Sequence, residues 1–281
     1  MNMETIKCVE TAGTINESNK DLILIGNLND DDIKLIRKMA QNGKLSILNP
    51  ENVKVSTFFE STGLTKITIE NVVTSIGNYA FYGCTGLTSI IIPNSVTSIG
   101  NFAFQSCTGL TSITIPDSVT LIKNGAFSGC TELKGVSISC ATTLKSIGDY
   151  AFYDCIKLAC ITIPNNIPIG RFAFSGCAEL TSVIIESGTT EISIGDLAFE
   201  GCEKLKKITI PNNVTSIGNA VFDGCTKLTE IHCENPNPPK LGSDYFIHVN
   251  KTTCKLYVPN GSLQAYKETG GWNEFKNIIE V

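Results

Sequence analysis

Between residues 64 and 228 the apolar positions follow one pattern that returns again and again. In the unit at residues 87–109, Leu87, Ile90 and Ile92 are spaced as the inward side of a short strand, leaving Thr88, Ser89 and Ile91 outside. Pro93 closes that strand, since it has no amide to donate and restricts the residue before it. Val96 and Ile99 form a second short apolar pattern, and Gly100 permits a turn that a residue with a Cβ would resist. Ala103, Phe104 and Cys107 then fill the opposite wall.

Seven such units begin at Leu64, Leu87, Leu110, Leu133, Leu158, Leu180 and Leu205, and the last closes on Leu228. Their lengths are 23, 23, 23, 25, 22, 25 and 23 residues, with the extra residues at 140–143 and 188–191, where loops are expected. A period of this size predicts a solenoid, in which each coil buries its apolar side against its neighbours. The equivalent residues Phe81, Phe104, Phe127, Phe152, Phe174, Phe199 and Phe222 should stack as one aromatic spine. The fold class expected is therefore α/β, rich in β, with a cap at each end.

The flanks depart from the pattern. Residues 1–44 read as an N-terminal cap: a short buried strand at 21–26, then a helix opened by Asn29 and three aspartates, with Ile33, Ile36 and Ala40 along one side. Those aspartates lack the alternating spacing and distal Glu of a calcium loop. Residues 45–233 form the solenoid, one degenerate coil followed by the seven full units and the start of a last one; Ser61 in the degenerate coil stands where later coils carry cysteine. Residues 234–281 read as a C-terminal cap, in which the Asn235, Pro236, Asn237, Pro238, Pro239 run breaks the stacking and residues 256–259 resume one strand. A short capped helix follows from Ser262, and Trp272, Phe275, Ile278 and Ile279 close the end.

Charge narrows the class of partner. The chain carries 22 Lys and Arg against 27 Asp and Glu, a formal net charge of −5, with no basic run, which argues against nucleic acid and anionic membrane. Residues 1–9 contain no apolar run of signal-peptide length, and no stretch is long enough to span a bilayer, so direct membrane insertion is not expected.

Seven of the twelve cysteines fall once per unit, at Cys84, Cys107, Cys130, Cys155, Cys177, Cys202 and Cys225. One residue type at one place in every coil reads as a ladder of buried, reduced thiols whose hydrogens reach backbone carbonyls. Parallel side chains stacked roughly 4.8 Å apart also keep Cβ atoms beyond the usual disulfide separation of about 3.8 Å. Cys160 points outward, with Cys254 expected in the same column, and Cys8, Cys140 and Cys233 have no evident mate. No Cys-x-x-Cys pair suggests zinc.

The strand with Pro, then Val-Thr-Ser-Ile-Gly and Ala-Phe-x-Gly-Cys, repeated over residues 64–232, resembles the BspA-like leucine-rich repeats of bacterial surface proteins. The ending with Tyr257, Val258, Pro259, Asn260, Gly261 and Ser262, and then Tyr266, Trp272 and Phe275, is similar to a C-terminal cap found in such proteins. The resemblance implies a right-handed leucine-rich-repeat solenoid, a location at the cell surface or in the medium, and adhesion to a host or bacterial surface protein or glycan. It supplies no catalytic residues.

No catalytic, metal or cofactor site is legible: the chain has two histidines, His232 and His248, neither in a catalytic motif, and no phosphate-binding loop. The face made by the outward columns of the strands is the expected binding surface, about 35 Å wide at ~4.8 Å per strand. Its candidate residues are Thr88, Ser89, Thr111, Ser112, Lys134, Thr162, Thr181, Lys206, Lys207, Glu230 and His232, with a local basic patch at Lys204, Lys206, Lys207 and Lys227 that could take an anionic ligand. Few aromatics project from these columns, which disfavours sugar stacking. The alternative is a structural spacer without a ligand of its own. Asn16, Asn213 and Asn250 begin Asn-x-Ser/Thr triplets that matter only in a glycosylating host.

Overall fold

A computed structural model describes residues 58–281, apart from residues 70, 72 and 140–142 and the side chains of Lys66 and Thr68, together with the backbone of strands Thr5–Lys7 and Ile23–Ile25. Those two strands pair in parallel, and Ile23–Ile25 falls in the segment read as a strand. The expected helix after Asn29, Cys8, Cys140 and Asn16 lie outside the described residues.

The rest is a solenoid of parallel strands taken in chain order. Eight strands, Ser112–Ile115, Gly135–Ile138, Cys160–Ile163, Ser182–Ile185, Lys207–Ile210, Glu230–Cys233, Lys255–Val258 and Asn277–Glu280, form one sheet. Lys66–Thr68 and Ser89–Ile91 pair ahead of it in the same direction. Alternation decides which residues face the core: Ile113 and Ile115 are buried and Ser112 and Thr114 exposed, as the period of a strand requires.

The Val96 and Ile99 pattern builds a second parallel ladder on another wall. Ser75–Ile76, Ser98–Ile99, Leu121–Ile122 and Ser146–Ile147 make four short strands, and Ile192–Ile194, Val214–Ile217 and Lys240–Leu241 make three more. Ile169 bridges the two groups. Its coil contributes only a bridge because Pro168 precedes Ile169 and has no amide to donate.

A third set of bonds closes the wall carrying the spine. Nine phenylalanines, from Phe58 through Phe81 to Phe222 and on to Phe246, stack with ring centroids 5.0 to 6.1 Å apart and planes within 9°. Each buried thiol of the ladder donates to the carbonyl of a phenylalanine one coil back: Cys84 to Phe58 at 2.9 Å, Cys107 to Phe81 at 3.0 Å, Cys130 to Phe104 at 3.2 Å. Burial pushes the Cys84 and Cys130 thiols up to about 12, so the proton needed for that bond stays on sulfur. Ser61 occupies the first described rung, and its Oγ is the one buried side-chain oxygen or nitrogen without a partner among the described residues.

Two features of this wall were not read from the sequence. The residue two after the turn glycine is left-handed, as at Tyr79 (φ 57°), Phe102 (φ 55°) and Tyr150 (φ 58°), and in the coil where Lys123 replaces that glycine the left-handed residue is Gly125 (φ 62°). This conformation costs a residue with a side chain about 1–2 kcal/mol. It aims each N–H along the solenoid axis at the next coil, Tyr79 N to Asn101 O and Phe102 N to Asn124 O, both at 2.9 Å. Beside it runs a polar ladder in which Asn78 Oδ1 accepts from Asn101 N, Asn101 Oδ1 from Asn124 N, and Asn124 Oδ1 from Asp149 N. Gly100 is required for a different reason from the turn expected of it: a Cβ there would lie 2.6 Å from the backbone of Gly77 and Asn78 in the preceding coil.

The stacking continues past the proline-rich segment expected to end it, because Lys240–Leu241 joins the second ladder and Phe246 the spine. Three strands, not one, follow it, and the last places Ile279 outward instead of in the closing core. The helix Leu263–Glu268 lacks a side-chain cap from Ser262; Glu280 Oε1 accepts from Leu263 N at 3.0 Å instead. Trp272 is buried as expected, donating to Pro239 O at 2.9 Å with its ring edge-on to Phe246. Asn213 is buried and bonded to Thr190 O, which removes it as a glycan acceptor.

Phe127→Ala should lower unfolding free energy by roughly 3–5 kcal/mol in urea titrations. A second outcome concerns Asp154, whose carboxyl is held above its ordinary value of 3.8 by burial and then by Glu200. Folded protein therefore holds this proton more tightly than unfolded protein, so stability drains away as pH rises from 3.8 through the raised value. Asp154→Asn keeps a residue tolerant of the left-handed φ of 53° and should raise Tm at pH 7, a gain that vanishes below the ordinary carboxylate range.

Candidate binding surface

The outward residues of the long sheet fall in three columns, held in line by parallel register. In the middle one Ser182 lies beside Cys160, followed by Lys207, Glu230 and Lys255. In the next, Thr162, Ile184, Thr209, His232, Tyr257 and Ile279 follow one another. All eleven residues expected at a binding surface lie on this wall, either exposed or half-buried.

They do not all offer their chemistry freely. The hydroxyls of Thr88, Thr111 and Thr181 donate to the carbonyls of Thr65, Thr88 and Ala159 at 3.3, 3.3 and 3.0 Å, so this column is also a rung-to-rung tie. Ser89 and Ser112 stand exposed in the N-terminal half and Lys134 near the middle. Three isoleucines interrupt the polar surface, Ile91 at 76% exposure, Ile184 at 51% and Ile279 at 36%.

Lys206, Lys207, Glu230 and His232 come together at the C-terminal end. A cavity of about 390 Å³ opens there, lined by Lys207, Thr209, His232, Glu234, Tyr257 and Pro259 among others. The His232 ring stacks on Tyr257 with centroids 4.3 Å apart, and its Nε2 lies 3.4 Å from Glu230 Oε2. Ser187 Oγ, two coils back, donates to Glu234 Oε2 at 2.6 Å and holds that carboxylate at the rim. Glu234 and Tyr257 were missed from sequence, although extending the third column by one strand would have reached Tyr257.

The expected basic patch divides. Lys204 pairs with Glu179 at 2.6 Å, in the same position where Lys157 pairs with Glu132 two coils earlier, while Lys206 and Lys207 remain on the strand face. Cys160 is exposed on that face as expected. Cys254 is not in its column: Lys255 is, and Cys254, one residue earlier, is buried. Cys233 also belongs to the core, in register with Ile210, and burial raises its thiol to about 11.

Among the described residues no three His, Cys, Asp or Glu side chains group to hold a metal, and no helix is long and apolar enough to cross a membrane. His248 contacts Asp223 in the turn after the spine, on a different wall from His232.

The chain matches the BspA type leucine rich repeat region in six copies, over residues 51–168 and 145–266, and belongs to that family, a general protein-interaction fold. No curated protein matches it. Among similar solved structures, a leucine-rich repeat protein from Bacteroides ovatus is 22% identical over 86% of this chain and 85% of its own, with a TM-score of 0.41. The T. pallidum leucine rich repeat protein is 24% identical over 75% and 78%, at 0.44. A leucine rich cell surface protein from Faecalibacterium prausnitzii is 20% identical over 84% and 83%, at 0.36.

Thiol chemistry checks this geometry. In protein carrying Cys8→Ser and Cys140→Ser, a chromogenic thiol reagent should react under native conditions with Cys160 alone, and with the nine buried thiols only after denaturation. Rapid reaction of several thiols would mean that the ladder opens in the folded protein.

Proposed function

We propose that this chain is a noncatalytic binding module that docks a macromolecular partner on its strand face, and that it works at the cell surface or outside the cell. The observation that carries this reading is the row of isoleucines left exposed among mostly polar neighbours on the strand face, Ile91, Ile184 and Ile279. Apolar side chains held on a regular surface gain free energy only when something covers them. Membership of a protein-interaction family supports the same reading, and the resemblance of its repeats to those of bacterial surface proteins supports the location.

A protein partner suits the surface better than a sugar. The two rings at the cavity face each other, leaving little free aromatic plane for a pyranose. The threonine column, with its hydroxyls bonded within the ladder, favours the second reading, a spacer that presents other segments.

Site-specific crosslinking separates the two. A photoreactive phenylalanine analogue at Thr114 or Ser137, exposed on the strand face, should trap a defined partner from purified host or bacterial surface proteins, and unlabelled protein should compete. The same group at exposed Lys123, on another wall, should trap nothing. Equal capture from both walls, or capture from neither, would replace the binding module with the spacer.

A further inference from the structure

The strand face and the remainder of the molecule differ in charge. Across its three outward columns from Thr88 to Tyr257 the face carries four lysines, Lys134, Lys206, Lys207 and Lys255, against one carboxylate, Glu230, in a chain whose net charge is −5. Among the described residues the remaining acids stand outside these three columns. The imbalance is concentrated beside the cavity, where Lys206 and Lys207 stand at the start of one strand and Lys255 stands two strands further on. None of the three is ion-paired among the described residues, in contrast to Lys157, Lys204 and Lys251, each of which has its own glutamate.

We propose that this corner of the strand face binds an acidic peptide segment of a partner protein, an inference that rests on the strand face being the binding surface. Lys207 and Lys255 stand two strands apart, roughly 10 Å at β-sheet spacing, a span over which one short peptide places two carboxylates. Glu230 lies between them, one negative charge against the three positive charges of Lys206, Lys207 and Lys255. Thr209 and the stacked His232 and Tyr257 floor the cavity next to the lysines.

The mixture of charges selects the chemistry. Glu234, held by Ser187 at the rim, accepts hydrogen bonds and repels a second anion. A peptide satisfies both requirements, setting side-chain carboxylates on the lysines and a backbone N–H on Glu234. A uniformly anionic polymer, such as a sulfated glycan or nucleic acid, places negative charge against Glu234.

Fluorescence anisotropy with the whole chain tests this, using a labelled Asp/Glu-rich dodecapeptide, a Lys-rich one and a heparin hexasaccharide. The acidic peptide should bind saturably and more weakly at high salt, and the Lys-rich peptide should not bind. A Lys206→Glu, Lys207→Glu variant should lose about tenfold or more in affinity, the effect of removing charge-assisted bonds. Lys123→Glu, on another wall, should bind as the parent does, and matched thermal melts should show that both variants fold. Absence of peptide binding, unchanged binding by the double variant, or tighter binding of heparin through the same lysines would overturn the proposal. If the peptide fails while crosslinks still form from Thr114, the acidic preference is wrong and the binding surface stands. If both fail, the surface itself is wrong.

Discussion

The structure depends on the spacing of a parallel β-ladder, because every other column of side chains must repeat at the distance that backbone hydrogen bonds impose. That distance, roughly 4.8 Å, is fixed by the strands and inherited by the other walls. The phenylalanine rings sit 5.0 to 6.1 Å apart, near the strand spacing and within the range over which aromatic rings attract one another. Gly100 has no room for a Cβ for the same reason.

A column repeated at this distance admits only residues that tolerate a copy of themselves. Phenylalanine does so by lying parallel, and asparagine by accepting an amide from its neighbour. Cysteine does so by remaining neutral: a thiolate could neither donate to the phenylalanine carbonyl nor sit near six others in the core. Charged columns alternate in sign instead, as in Glu132 with Lys157 and Glu179 with Lys204. Asp154 stands outside this column, and burial first, then the charge of Glu200, holds its carboxyl above its ordinary value.

The outward columns of the strand face escape most of these demands, so sequence varies there. Ile91, Lys134, Cys160, Ile184 and Lys207 interrupt what would otherwise be rows of threonine and serine. The coil scaffold holds these departures in register, and a flat, rigid surface presents them without an ordering cost on binding. Specificity in such a module resides in what breaks the repeat.

The sequence by itself determined the repeat, and therefore the solenoid, the inward Leu and Ile rows, the spine from Phe81 to Phe222 and the thiol ladder, since a strict period leaves one way to bury each apolar position. It also placed Lys206, Lys207, Glu230 and His232 on one face through column counting. Tertiary structure alone decided what depends on the neighbouring coil. The left-handed residues such as Tyr79 and Phe102 have no local signature, because their conformation is held by an amide bond to the next coil. Beyond Pro239 the period fades, so the membership of Phe246, Tyr257 and Ile279 in the same columns, and the burial of Cys254, emerged only from strand pairing. The cavity exists for that same reason: Tyr257 and Pro259 come from a coil too degenerate to align, yet register with His232 brings them to its edge.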